Sequence, residues 1–295
     1  MKRTLLLDAD ILAYIVACQT DRPIDWGDGA GLFSYADDAR ASDECEDWIR
    51  GLMSDLSADN AIICMSDPRR RYWRHDIFPE YKAGRSQGSA PMCLTAVKDT
   101  LRNGFEGIKS KTISTLEADD VLGILATHPT LVKGEKVIVT SDKDLKQIPG
   151  LYFNIRKPCD GLVEINPHDA LRFFYVQALS GDPTDGLPGA WKIGPVKAER
   201  IVDSVFFDLG RPDLSGEFMW PVIRDTYLAA GHDEAYALGQ VQCIRILQAS
   251  DYDFKNRKAI PWTPPITQKS KTPASVRSSP PARAGTRRTA SPATT

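Results

Sequence analysis

Three features of this 295-residue sequence predict an α/β fold, a mostly parallel sheet flanked by helices, with a helical C-terminal part. Short apolar runs alternate with helical patterns over residues 1–166. Alternation of that kind builds parallel sheets with helices on both faces. Three of the apolar runs end in aspartates, and from about Pro167 to residue 257 the strand pattern gives way to helices.

Strands are predicted at Thr4–Leu7, Ala61–Met65, Ile108–Ile113 and Val137–Thr140, where apolar and β-branched side chains dominate. Helices are predicted at Ile11–Ala17, Asp37–Leu56, Pro91–Arg102 and Glu117–Thr127. Asp21–Gly31, with three Gly and three Asp, reads as a surface loop. Further helices are predicted at Pro167–Ser180, Val196–Val205 and Asp233–Gln248, with a Gly/Pro-rich turn at Leu187–Pro195. Residues 263–295 are rich in Pro, Ser, Thr, Ala and Arg and have too little apolar surface to offset ordering. They are predicted to form a disordered basic tail.

With 42% hydrophobic residues the chain has enough apolar content for a core. Its six cysteines show no C-x-x-C pair, which points to reduced thiols in a cytoplasmic protein. The opening MKRTLLLDADILAYIVA resembles a signal peptide, but Asp8 and Asp10 interrupt its apolar run. No stretch approaches the roughly 18 apolar residues of a membrane helix. The net charge of −2 hides an asymmetry. Six of the 37 basic residues and none of the 39 acidic ones lie beyond residue 262, so the body carries −8.

The acids are informative by position. Asp8, Asp67 and the pair Asp142 and Asp144 each follow a predicted strand. That edge is where open α/β sheets bind ligands. A turn-forming aspartate accounts for any one of them alone. Glu117, Asp119 and Asp120 open a predicted helix, where a Ser114-x-x-Glu117 capping box accounts for one acid or two. Asp182 and Asp185 lie three apart in a turn. Brought together, so many carboxylates would repel one another without cations. Hard oxygen donors suit Mg²⁺, with Mn²⁺ able to substitute. Their number suits two ions, the arrangement used in phosphodiester hydrolysis. The four histidines are scattered, and no Gly-rich phosphate loop is present.

The segment from Asp67 to Arg85 places six permanent cations and three Tyr or Trp rings in 19 residues. Basic side chains track phosphates and rings stack on unpaired bases. Arg70, Arg71 and Arg74 are its candidate DNA contacts. The turn before Val196, with Lys192, Gly194 and Lys197, can aim backbone N–H groups at a phosphate. An ordinary helix–helix connection is the alternative there.

The ordered set Asp8, Asp67, Pro79-Glu-Tyr-Lys82-x-x-Arg85, Glu117-Ala-Asp-Asp120, Ser141-Asp-Lys-Asp144 and Gly181-Asp-x-x-Asp185 resembles the flap endonuclease / 5′-nuclease superfamily. Within it, the likeness is greatest to the 5′→3′ exonucleases of short-tailed phages, and more distant to the 5′-nuclease domain of DNA polymerase I. It covers about residues 1–257. It implies a PIN-like core, an arch over the site at about residues 67–90, and a helix–hairpin–helix at about 181–205. It also implies a first metal on Asp8, Asp67, Glu117 and Asp119, and a second on Asp120, Asp142, Asp144, Asp182 and Asp185. Lys82 and Arg85 would contact the scissile phosphate, Tyr81 would stack on a terminal base, and a K⁺ ion would sit at the hairpin. There Lys192-Ile-Gly194 departs from the resembled Gly-x-Gly. The implied activity is metal-dependent 5′→3′ exodeoxyribonuclease action in phage-type replication, recombination or primer removal. Its partners would be DNA duplexes with a 5′ end (nicked, gapped, flapped or RNA–DNA hybrid) and replication proteins, in the host cytoplasm if the chain is phage-encoded. A PIN-type ribonuclease and a non-catalytic DNA-binding subunit on the same fold are the alternatives.

Overall fold

Alternation of the first strand's buried side chains between two cores shows how the layers form. In β1 (Arg3–Asp8), Leu5 and Leu7 enter one core cluster while Leu6 enters another on the opposite face. Successive strand side chains point to opposite faces, so a strand apolar at every position must be covered twice. The computed structural model describes residues 2–25, 27, 32–35, 37–84, 90–208 and 216–265. Arg85 and residues 266–295 of the tail therefore lie outside the described residues.

The main sheet contains β1, β4 (Asn60–Met65), β5 (Lys109–Thr112), β6 (Glu135–Thr140), β7 (Gly150–Asn154) and β8 (Leu162–Ile165), in the order β5-β4-β1-β6-β7-β8. All neighbours are parallel except β7 and β8. Helices α1 (Ala9–Thr20), α2 (Asp38–Asp55) and α3 (Leu94–Asn103) supply residues to the cluster on one face. Helix α4 (Ala118–Thr127) supplies the cluster on the other. A third cluster draws on α5 (Pro167–Ser180), α6 (Pro195–Asp208), α7 (Gly216–Ala229) and α8 (Glu234–Ile244), together with Tyr81 and the turn residues Leu187, Ala190 and Ile193. The α/β class and the helical C-terminal part are as predicted, and Pro167–Ser180 keeps its predicted limits.

Some elements differ from expectation. The stretch predicted as loop contributes β2 (Arg22–Asp25), paired antiparallel with β3 (Leu32–Tyr35). Strands β7 and β8 and helix α7 were not predicted, and α7 holds Pro221 within its length.

Strand β1 is the switch point of the sheet: β4 lies on one side and β6 on the other. The crevice beyond the carboxyl ends of such strands is the favoured ligand position. A tight approach braces it from below. A Cβ on Gly123 of α4 would stand 2.3 Å from the Leu247 carbonyl oxygen, so only glycine lets residues 246–247 lie on that helix.

Candidate active site

Asp8 ends β1 and Asp142 lies two residues past β6, side by side because the two strands pair with Leu7 opposite Val139. Thr140 joins them. Its hydroxyl donates to Asp8 Oδ2 at 2.6 Å and accepts the Asp142 N–H at 2.9 Å. Asp142 caps the short 3₁₀ turn Lys143–Gln147 by accepting the Asp144 N–H at 2.8 Å. Asp119, in the first turn of α4, is close enough to Asp8, Asp142 and Glu117 for their charges to repel it. Asp182 caps the turn Pro183–Asp185 and repels Asp144.

Glu117 and Asp185 share two partners. The Tyr81 hydroxyl lies 2.9 Å from a carboxylate oxygen of each. The Lys82 ammonium pairs with Glu117 and lies 3.4 Å from Asp185. Lys82 adopts a left-handed backbone, φ 59°, and its N–H donates to the Asp185 carbonyl at 2.8 Å. That turn brings its side chain back to the site. Seven predicted acids are thus drawn into one region: Asp8, Glu117, Asp119, Asp142, Asp144, Asp182 and Asp185.

Their electrostatics show charge in excess of cations. Burial first, then repulsion from Asp10 and Asp142, pushes Asp8 up to about 7 despite the lowering bond from Thr140. Burial first, then repulsion from Asp142 and Asp182, pushes Asp144 up to about 7. Burial and the charges of Asp8, Asp142 and Glu117 hold Asp119 well above the carboxylate range, with Lys82 opposing. Carboxylates held this way gain from a cation of high charge and a preference for oxygen. Among the described residues no three His, Cys, Asp or Glu already surround one point as a preformed metal shell. The fit to a divalent ion rests on the charge and hardness of the donors.

Four expected site residues are engaged with protein partners in this structure. Asp67 is buried and saturated: it accepts from the Arg69 backbone N–H at 3.0 Å, from both arms of the Arg69 guanidinium, and from Thr115 N–H at 2.8 Å. Those bonds, the Arg69 side chain first, hold its carboxyl far below the usual range. Through these bonds it organises the loop that follows β4. Asp120 is fully buried and accepts from Trp73 Nε1 at 3.0 Å, both terminal nitrogens of Arg74 at 2.7 and 2.8 Å, and Leu247 N–H at 3.1 Å. It too is committed elsewhere. Arg74, expected to touch DNA, is 3% exposed and spends its guanidinium on Asp120, Glu117 and the carbonyls of Cys243 and Arg245. Tyr81, expected to stack on a base, is buried at 4% exposure and bound to the carboxylates.

The capping box is also absent. Glu117 occupies the cap position of α4 without a side-chain bond, and Ser66 Oγ serves the helix by accepting Ala118 N–H at 2.9 Å. Arg70, Arg71, Lys192, Gly194 and Lys197 are exposed, as phosphate contacts must be. Sequence reasoning missed Thr140, Gln177 and the ion pair of Lys98 with Asp10 at 2.7 Å. The one signal for Thr140 was its spacing: residues i and i+2 of an extended segment share a side.

The mostly parallel sheet with a helical part after it is a fold shared with solved phage proteins. The crystal structure of the phage T5 D15 protein with metal ions matches at a TM-score of 0.54 and 15% identity, covering 82% of this chain and 89% of that one. The D15 flap endonuclease in complex with DNA and metal ions matches equally well, covering 91% of its chain. Sequence is more specific. Residues 39–160 match the family model of the 5′-3′ exonuclease N-terminal resolvase-like domain. Flap endonuclease Xni of Shewanella sp. (strain ANA-3) is 30% identical over 62% of this chain and 73% of its own length. The exonuclease of Escherichia phage T7 is 26% identical over 89% of this chain and 94% of its own. The chain belongs to the 5′-3′ exonuclease and flap endonuclease family, and is a nuclease of that family.

Proposed function

We propose that this nuclease hydrolyses phosphodiester bonds inward from the 5′ ends of duplex DNA, using two divalent ions, Mg²⁺ by preference, held by the seven gathered carboxylates. One observation carries the reading: acids from β1, α4 and the segments after β6 and α5 converge where burial and mutual repulsion push Asp8 and Asp144 up to about 7. Relatives named exodeoxyribonuclease and flap endonuclease, and a structural neighbour bound to DNA and metal ions, support it. Divalent ions at such a site supply charge neutralisation on the phosphate and acidify a bound water.

The chain's own groups do the rest. Thr140 fixes the orientation of Asp8, and the turn after β6 fixes Asp142 against Asp144. Glu117 and Asp185 hold the Lys82 ammonium at the edge of the cluster, where it meets a phosphate oxygen and offsets developing charge. Exposed Arg70, Arg71, Lys192 and Lys197 contact the DNA backbone without reading sequence. A K⁺ ion at the 189–194 hairpin is the remaining part of the proposal, tested by comparing DNA affinity in K⁺ and Na⁺ at equal ionic strength.

Duplexes labelled separately at each end test the main reading. With Mg²⁺, label is expected to leave the 5′ end first, and chelation is expected to stop the reaction. Asp142→Asn is expected to lower turnover by about 10²–10³-fold, the scale for loss of a central electrostatic group, while DNA binding in Ca²⁺ persists. Full activity in Asp142→Asn sinks the assignment. Preference for a matched RNA over DNA would instead favour a ribonuclease.

A further inference from the structure

Behind Asp144 runs a chain of buried amides that the proposed reaction does not use. The Ile246 backbone N–H donates to Gln147 Oε1 at 3.2 Å. Gln147 Nε2 donates to the Ile244 carbonyl at 3.0 Å and to Gln177 Oε1 at 2.7 Å. Gln177 Nε2 then donates to Asp144 Oδ1 at 2.6 Å. Gln147 and Gln177 are 2% and 7% exposed.

The direction of this chain is forced. A backbone N–H can only donate and a backbone carbonyl can only accept, so residues 246 and 244 together fix which end of the Gln147 amide is oxygen. The NH₂ end must therefore face Gln177, which must answer with its carbonyl. Its own NH₂ is left for Asp144. A backbone donor and acceptor set 97–99 residues from Gln147 in sequence thus determine that Asp144 meets a donor. The bond occupies Oδ1 and leaves Oδ2 without a hydrogen bond to the protein among the described residues.

We infer that Gln177, held by Gln147, is a positioning residue that orients Asp144 so that Oδ2 is presented to the metal site. The inference rests on the reading of Asp144 as a metal ligand. Outer partners that orient ligands commonly change metal affinity 10–100-fold when removed. Satisfied buried networks specify one geometry, whereas broken ones leave several.

Calorimetric titration of the full-length, DNA-free protein with Mn²⁺ tests this without turnover. Gln177→Met, which keeps length but removes the donor, is expected to weaken Mn²⁺ binding about 10-fold or more. Its Mg²⁺ requirement in the nuclease assay should rise in parallel, while kcat recovers at saturating Mg²⁺. Gln147→Met removes the hold on Gln177 and frees its amide to turn, while leaving the Gln177 donor itself in place. It is expected to weaken Mn²⁺ binding, by less than Gln177→Met, with thermal unfolding confirming that both variants fold. Should Gln177→Met not fold, Gln147→Met carries the test, and wild-type Mn²⁺ affinity in it overturns the relay. Asp144→Asn separates the two levels. If Asp144→Asn loses affinity and folded Gln177→Met keeps it, the relay alone is overturned. If Asp144→Asn keeps wild-type affinity, the ligand reading falls and the relay with it.

Discussion

Asp119 and Asp120 are adjacent acids of one motif, yet they meet different partners. Successive helical residues do not share a face. Asp119 is repelled by Asp8 and Asp142, while Asp120 is locked to Arg74, Trp73 and Leu247. Arg74 thereby satisfies two buried carboxylates at once, and one of them, Glu117, also holds Lys82. Removing one partner of a buried pair strands the other, at about 3–5 kcal/mol. Arg74→Met is expected to lose stability on that scale, read from the urea midpoint at constant m-value. Arg71, whose contact with Asp76 is 3.5 Å long and exposed, gives the contrast: Arg71→Met is expected to stay within about 0.5 kcal/mol. No sequence pattern distinguishes these two arginines three residues apart, because the partners that bury Arg74 lie up to 171 residues away.

Elements reproduce this division between local and distant information. β1, β4 and β6 were legible because an apolar run covered on both faces needs no knowledge of its neighbours. β8 exposes Val163 and Glu164 at the edge of the sheet and is paired antiparallel, so little in its composition marks it. Helix α7 carries Pro221, which reads as a breaker. Strand ends located Asp8, Asp142 and Asp144, but the bonding of Asp67 to Arg69 and Thr115 could not be seen without the folded loop. The hairpin before α6 is the other instructive element. Lys192, standing where the resembled pattern has glycine, takes φ 61° all the same. A left-handed L-residue costs roughly 1–2 kcal/mol, and glycine returns part of that as chain entropy. Lys192→Gly is expected to be neutral or stabilising by up to about 1 kcal/mol, by thermal unfolding. It should also weaken DNA binding and reduce the slope of log affinity against log salt by about one.

For the whole molecule, the acid cluster sets how stability depends on pH. Asp8 rises from an ordinary 3.8 to about 7 on folding, and Asp144 does the same. The native state therefore holds these protons more tightly than the unfolded chain. The stability they give is fully present below about pH 4 and is lost as pH climbs through 7. Metal-free protein is expected to melt lower at pH 8 than at pH 6, and saturating Mg²⁺ to reverse that order by binding the ionised form. An unchanged melting temperature across this range, with and without Mg²⁺, would contradict the cluster. Residues 243–247 give the architecture a further consequence. Their backbone bonds to Arg74, Asp120 and Gln147 span 169, 127 and 97 residues of chain. A ribosome delivers the strands, the acids and Lys82 long before it delivers that segment. During synthesis the supports that Arg74, Asp120 and Gln147 draw from this segment therefore close only once residue 247 is free, after every carboxylate of the site has emerged.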